Sequence, residues 1–437
     1  MSPSPNSTGL GMTFRALSHR NYRLFFGGQS ISLIGTWLQL TAVSWLVFRL
    51  TQSSFLLGVV GFTSRIPTFV LASFAGVLVD RWNRHRLLVA TQVFSLIQAL
   101  LLAILVLTGT IAIWHIIVLT LFLGIVNAFD VPVRQSFVVE MIERREDLGN
   151  AIALNSSMVN GARLLGPSVA GTLIALMGEG LCFLLNALSF VAVIAALLGM
   201  RITPKPRQAQ KTPLWRGLTE GYRYAFGFFP IWSLLLLVAL VSFMAMPYTV
   251  LMPVFAGEIL HGGPQTLGFL LAATGVGALV GTLFLASRRN VLGLGRIIAM
   301  ASILFGIGLI GFSFSRVFWL SAAMMVVTGF GMMVQMTSTN TVLQTIVEED
   351  KRGRVMSFYT MAFMGMVPFG SLFSGILASA IGAPGTTLVG GISCILGALL
   401  FARKLPDFRK MVRPIYQERG ILSERPLPTA STEHQET

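Results

Sequence analysis

Three ionisable side chains sit where such groups are costly. Arg65, Asp130 and Arg163 each fall inside a long apolar run. A charge at the centre of a bilayer costs about 3 kcal/mol or more and marks a functional site by default. The chemistry open to these groups is gripping a charged solute, carrying a proton, or latching one conformation against another. Asp130 is the only carboxylate that the sequence places within a membrane segment. It could be the protonation site of an antiporter or the partner in a latch. Its place, roughly 20 residues into its run, puts it near one end and favours the latch. Arg65 and Arg163 lie at mid-depth, roughly 15–18 Å into theirs. A buried cation needs a partner, and no carboxylate occupies that depth. Two readings follow. The arginines bond to backbone carbonyls and to polar side chains such as Asn155 or Asn186, or they leave a cavity positive and favour an anionic or catecholate substrate.

Polar residues also line single faces of three runs: Gln29, Ser32, Thr36 and Gln39; Asn127, Asp130 and Arg134; Thr328, Gln335, Ser338 and Thr339. Helical spacing gathers each set into one stripe, which suits either a cavity wall or hydrogen bonds between helices. Enzymatic chemistry finds no support. There is no H-E-x-x-H, no Cys/His cluster and no obvious dyad among the five histidines. The phosphate-binding pattern G-x-x-x-x-G-K-[ST] of an ATP-driven pump is missing too. Cys182 and Cys394 read as small buried residues, and no metal site is expected.

These side chains need a scaffold that holds them in lipid. The 437-residue chain is 54% hydrophobic and 11% charged, against about 25% charged in a soluble domain. Runs near the 20 residues needed to cross a bilayer core recur at 22–48, 55–79, 87–108, 111–134, 151–177, 181–201, 231–256, 265–287, 294–314, 317–343, 355–380 and 385–402. Backbone groups left unpaired cannot face lipid, so the runs are helices; the short alternating segments of a β-barrel are missing. The expected fold is an all-α membrane protein with twelve transmembrane helices in two pseudo-symmetric six-helix bundles. An N-terminal arm (1–21) precedes the first bundle (22–201). A middle loop (202–230) leads to the second bundle (231–402) and a tail (403–437).

The net charge of +15 does not imply nucleic acid. With the N-terminus inside, 28 of the 32 Lys and Arg fall on the cytoplasmic side, and only Arg49 and Arg316 on the other. That bias predicts both termini in the cytoplasm. The first dozen residues carry no Lys or Arg and lack the n-region of a signal peptide, so the first run is expected to be retained. In the middle loop, Leu214, Leu218, Tyr222, Ala225, Phe226 and Phe229 share a helical face that Arg216, Glu220 and Arg223 avoid, the pattern of a helix lying on the membrane surface. The tail, rich in Pro, Glu, Ser and Thr, is expected to be disordered.

The halves repeat. At a shift of 204, Gly149 matches Gly353, Gly161 matches Gly365, Gly166 matches Gly370, Gly171 matches Gly375 and Gly178 matches Gly382. At 205, Gly76 matches Gly281 and Arg84 matches Arg289. Duplicated halves place a substrate site at their interface near the midplane, with alternating access by rocking.

Between the second and third runs the chain reads Gly76-Val-Leu-Val-Asp80-Arg81-Trp-Asn83-Arg84-His85-Arg86. This resembles the signature loop of the major facilitator superfamily, with Asn83 for a glycine and His85 for a basic residue. Gly161, Gly166, Pro167 and Gly171 resemble the Gly-Pro motif of drug exporters in that superfamily. Asp130-Val-Pro132-Val-Arg134-Gln135, Arg352-Gly353-Arg354-Val-Met-Ser357 and Gly217-Leu-Thr-Glu-Gly221-Tyr-Arg223-Tyr are similar to the enterobactin-exporter-type branch of bacterial efflux proteins. The resemblance implies a secondary transporter of small organic molecules in the bacterial inner membrane, exporting on the proton gradient without a cofactor. A monomer is expected, with lipid and a small-molecule substrate as partners. It implies a latch made of Gly76, Asp80, Arg81, Arg84, Asp130 and Arg134, with Arg84 or Arg81 pairing to Asp130. It also implies a cavity bordered by runs 1, 4, 7 and 10, for which Gln29, Thr36, Gln39, Arg65, Asn127, Arg163, Gln335 and Thr339 are candidates. An importer of the same fold is the alternative.

Overall fold

The computed structural model describes residues 14–201, 222–288 and 290–422, and for residues 72–81 the backbone alone. Every regular element among them is helical. Ten helices have the length and apolarity to cross a membrane: α1 (Arg20–Thr51), α2 (Ser54–Arg81), α3 (Arg84–Leu107), α4 (Ile113–Met141), α5 (Leu148–Leu198), α6 (Phe229–Ile259), α7 (Pro264–Ala286), α8 (Leu294–Phe314), α9 (Phe318–Ile346) and α10 (Glu349–Arg403). A shorter α11 (Leu405–Glu418) follows.

Two of the ten are too long for one pass. The 51 residues of α5 would reach roughly 77 Å as a straight helix, more than twice a bilayer core. The chain breaks at Gly178, where φ is 77° and ψ is 170°. The contacts of α1 trace what happens there. The Tyr22 hydroxyl donates to the Ala151 carbonyl, Gly166 packs on Trp37, and Glu179 meets Arg49. Beyond the break, Asn186 and Ser189 pack on Gly35, and Val193 and Ala196 on Gly28. The chain thus runs alongside α1 to Gly178 and returns along it. In α10 the break is Gly382, with φ 77° and ψ 163°; Gly370 before it and Gly390 after it pack on the adjacent residues Phe243 and Met244. Each long helix therefore makes two passes, and ten spans become twelve. Gly178 and Gly382 are also a matched pair of the sequence repeat, so the duplication extends to backbone torsions.

The basic loops and both ends of the described chain gather at one end of the molecule, called here the basic end. Polar bonds tie the first half together internally. Gln39 donates to Gln98 of α3 at 2.8 Å and accepts from Asn186 at 2.8 Å. At the far end Arg49 grips Glu179 through two bonds, of 2.8 and 3.2 Å. The second half relies on small residues: Gly306 packs on Gly391, and Gly331 on Phe305. Close approach of this kind is how helices associate in lipid, where hydrophobic burial gives no advantage.

One sequence expectation changes. The tail is ordered well past Arg403. α11 buries Leu405, Phe408, Val412 and Tyr416, an i, i+3, i+7, i+11 stripe, and Gly295 at the start of α8 packs on Leu405 and Phe408. The Arg419 guanidinium donates to the Val347 carbonyl at 2.8 Å. Composition had hidden this stripe among polar residues; residues 423–437 lie outside the described set. In the middle loop, residues 202–221 also lie outside it. Residues 222–227 are helical, with Ala225 buried and Tyr222 and Phe226 exposed.

Backbone with φ near 77° and extended ψ is open to glycine almost alone, and a side chain there costs about 1–3 kcal/mol. Gly178→Ala or Gly382→Ala should lower thermal stability in detergent by that amount. Gly149→Ala, at a helical position with nothing within 4 Å of its Cβ, should leave stability unchanged or slightly raised.

Candidate functional site

The halves meet along two glycine seams. In the first, α2 faces α10: a Cβ at Gly58 would lie 2.8 Å from the Gly375 Cα, and one at Gly61 would touch Ser371. Phe62 and Phe69 then set their rings edge-on to Phe369, at 6.0 and 5.6 Å. In the second, α5 faces α7: a Cβ at Gly268 would lie 2.9 Å from the Gly171 Cα and would clash with the Pro167 carbonyl. Gly275 rests on Leu164 at 3.2 Å. Gly58 is near the start of α2 and Gly171 near the break in α5, so both seams close the end opposite the basic loops. Towards the basic end the packing thins. Gly161 and Gly353 have nothing within 4 Å, and Ile152 and Val159 are exposed. Between the halves lies a cleft that is shut at the far end and opens at the basic end. Within the helix-5 motif, Gly166, Pro167 and Gly171 serve packing, while Gly161 borders open space.

Arg65 and Arg163 look into this cleft. Arg65 lies seven residues past Gly58 and four past Gly61, on the seam face of α2. It is accessible to solvent on the face of α2 that meets the other half, the position of a residue on the cleft wall. Arg163 is half-buried, with its carbonyl 3.4 Å from where a Gly275 Cβ would be. The two guanidinium groups are close enough to repel each other. Tyr248 of α6, buried at 3% exposure, lies near Thr274 of α7 and feels the Arg163 charge. Neither arginine has a hydrogen-bond or ion-pair partner among the described residues. Of the two readings open from sequence, bonding to Asn186 does not occur, because Asn186 is bonded to Gln39 and Ser189.

The other cavity candidates divide. Gln39 faces the interior of the first half, away from the cleft. Gln335 and Thr339 are completely buried in the second half; Thr339 returns its hydroxyl to the Gln335 carbonyl at 2.8 Å, and both polar ends of the Gln335 side chain lack partners. Gln29 is buried at 4% exposure. Thr36 is exposed and bonds to the Ser32 carbonyl. Asn127 is half-buried on α4. Polar stripes were read as cavity wall where most of them are internal, because period alone cannot say which of several neighbouring helices a stripe faces.

The latch also differs from expectation. Asp130, 4% exposed, accepts from Thr91 at 2.9 Å and Gln92 at 2.6 Å and pairs with Arg134 one turn away at 2.9 Å. It fastens α4 to α3. Arg84 does not reach it. Its guanidinium donates to Glu140 at 3.2 Å and to the Ser136 carbonyl at 3.3 Å, two to three turns nearer the basic end. Asn83, in place of the motif's glycine, caps α3 by accepting from the Arg86 backbone at 3.1 Å. The side chains of Gly76, Asp80 and Arg81 lie outside the described residues.

One cluster has no sequence signal. Arg15 pairs with Asp147 at 2.8 Å, and the His19 Nε2 lies 3.0 Å from the same carboxylate. Ala16 donates its backbone N–H to Asn150. This clasp joins the N-terminal arm to the loop before α5 across more than a hundred residues. Asp147 is covered by the arm's side chains, with 3% exposed, yet sits near the surface.

The fold and cleft define a major-facilitator-type transporter, and comparison with known proteins agrees. The family model described as "Transmembrane secretion effector" matches residues 12–418; the chain belongs to that family. The staphyloferrin A transporter of Staphylococcus aureus is 26% identical over 87% of this chain and 95% of its own length. The multidrug efflux pump Tap of Mycolicibacterium fortuitum is 24% identical over 86% and 93%. Among solved structures, a bacterial homologue of the lysosomal transporter Spinster, inward-facing and unoccupied, superposes with a TM-score of 0.64 at 14% identity, covering 97% of this chain and 100% of that one. A bacterial homologue of the iron transporter ferroportin gives 0.65 at 16% identity, covering 88% and 98%.

The His19 bond, and then the Arg15 charge, hold the Asp147 carboxyl below its ordinary value. A lowered folded pKa contributes stability that is complete above the unfolded value of about 3.9 and lost as pH falls through the folded value. Thermal stability of the protein minus that of Asp147→Asn should therefore hold its full value at pH 5 and shrink below about pH 4. The arm should also become more sensitive to proteolysis in Asp147→Asn at neutral pH.

Proposed function

We propose that the chain exports small organic molecules across the bacterial inner membrane by alternating access, coupled to the proton gradient. The observation that carries this reading is the cleft itself, shut at one end by glycine seams, open at the other, and lined at mid-depth by accessible arginines. The concentration of lysine and arginine at the open end favours a cytoplasmic position for that end and for both termini. In that orientation the cleft receives solute from the cytoplasm. Rocking of the halves then parts the seams and closes the basic end, and solute leaves on the other side. Names such as staphyloferrin A transporter and multidrug efflux pump among the relatives support small organic solutes and outward movement.

Gly76, Asp80 and Arg81, with Arg84, Asp130 and Arg134, form the surface that closes when the basic end shuts. Asp130 belongs to this latch rather than to proton transfer, because three donors already satisfy it in the conformation that is open at the basic end. The transporter acts as a monomer, with the bilayer and its solute as partners, and needs no cofactor beyond the gradient.

The test is flux in proteoliposomes under an imposed pH gradient, with a panel of drugs and catecholates. Export on the gradient predicts saturable movement that stops when the gradient is collapsed. Movement unaffected by the gradient would remove proton antiport, and movement only toward the basic end would make the protein an importer.

A further inference from the structure

Arginine is always charged at physiological pH, so Arg65 and Arg163 cannot relieve their repulsion by losing a proton. Two like charges repel more strongly inside a protein than in water. Two other charges buried in the described spans are answered: Asp130 by Arg134, Thr91 and Gln92, and Glu179 by Arg49. The two at the mid-depth of the cleft are not. Arg65 lies eleven residues, about 17 Å, from the start of α2. Arg163 lies fifteen residues, about 22 Å, from both the start of α5 and the break at Gly178. The described carboxylates outside these pairs lie near helix ends or in loops: Glu258 in the last turn of α6, and Glu348, Glu349 and Asp350 at the start of α10. Two fixed positive charges, open to water and surrounded by low-dielectric protein, require a mobile anion.

The surroundings say what kind. Phe62 and Phe69 stand three residues before and four residues after Arg65, on the same face of α2. Phe369 of α10 bridges both rings. The cation is thus flanked by apolar aromatic surface contributed by both halves. Apolar wall with a few convergent charged groups is the usual form of a small-molecule site, and a planar guanidinium matches a carboxylate through two parallel bonds.

We infer that Arg65 and Arg163 together bind an organic anion with an aromatic or apolar body and one or more carboxylates, held between the halves with its charge at mid-depth. This deepens the transporter reading, on whose cleft it rests, by naming the class of solute. Anion binding also cancels the repulsion between α2 and α5, so an occupied cleft is electrically easier to close than an empty one.

Carboxyfluorescein, an aromatic polycarboxylate, is a suitable probe, and ethidium is its cationic counterpart. Fluorescence polarisation with the purified protein in nanodiscs should give saturable carboxyfluorescein binding and at least tenfold weaker or no ethidium binding. Arg65→Leu and Arg163→Leu should each weaken carboxyfluorescein at least tenfold. Arg163→Lys should recover part of the loss. Ethidium binding should stay the same or improve. Unfolding temperatures close to the parent's would show that the leucine variants fold; should they not, Arg65→Gln and Arg163→Gln give the same comparison. Ethidium bound as well as carboxyfluorescein, or equal losses for both dyes, would overturn the inference, as would no carboxyfluorescein binding at all. Flux of a solute from the panel above, driven by a pH gradient in vesicles, judges the transporter reading separately. Export of cations without anion binding would sink this inference and leave that reading standing.

Discussion

Between the halves, backbone meets backbone along two seams among the described residues, Gly58 against Gly375 and Gly171 against Gly268, and these contacts seal one end of the cleft. They are van der Waals contacts between small residues, the form of helix association that lipid favours. Parting them leaves no buried charge or broken hydrogen bond behind. A seal of this kind can be tight and still open, because the price of opening is lost packing alone. The cleft, the access of its arginines and the difference between the two ends all follow from where the seams lie.

The polar groups obey a complementary rule. Within the first half they are used up locally: Gln39 with Gln98 and Asn186, Arg49 with Glu179, Asp130 with α3 and Arg134. Such bonds make the first half rigid, as satisfied networks do in a low dielectric, and close glycine packing does the same for the second. The result is two stiff bodies joined by apolar, nondirectional contact, the mechanical requirement for rocking. Against that background the unanswered charge of Arg65 and Arg163 stands out. The π-turns among the described residues fall in the second half, at Val241–Ala245 and Phe255–Ile259 of α6 and at Met361–Gly365 of α10, and the last lies against Phe69. Turns of this type often mark functional sites, and these are the places where the second half can bend beside the cleft.

Much of this was legible beforehand. Hydropathy located every span, and the glycine repeat at a shift of 204 anticipated both the paired breaks and the equivalent seams at Gly171 and Gly375. Mid-depth arginines were recognisable from position alone. The partners of polar residues were not. A helical stripe reports a face, and in a bundle several faces look toward other helices; Gln39 and Gln335 were therefore assigned to a cavity from which packing excludes them. The pairing of Arg84 with Asp130 failed on axial distance, since Glu140 is nearer the end of α4 where Arg84 begins α3. α11 was obscured because an amphipathic stripe of Leu405, Phe408, Val412 and Tyr416 is diluted by the polar residues that composition counts. The clasp of Arg15 and His19 on Asp147 depends on tertiary proximity and leaves no local pattern.

Rocking of two rigid halves requires that the ends of the molecule move in opposite senses. Spin labels at Gln52 and Ser379 report on the sealed end, and labels at Arg144 and Asp350 on the basic end, all four being exposed positions. Double electron–electron resonance in nanodiscs should find the first pair at a short, narrow distance while the second is long. Solute or a reversed pH gradient should lengthen the first as it shortens the second. Distances that stay fixed under every condition, or that lengthen and shorten together, would contradict a seam that opens as the opposite end closes.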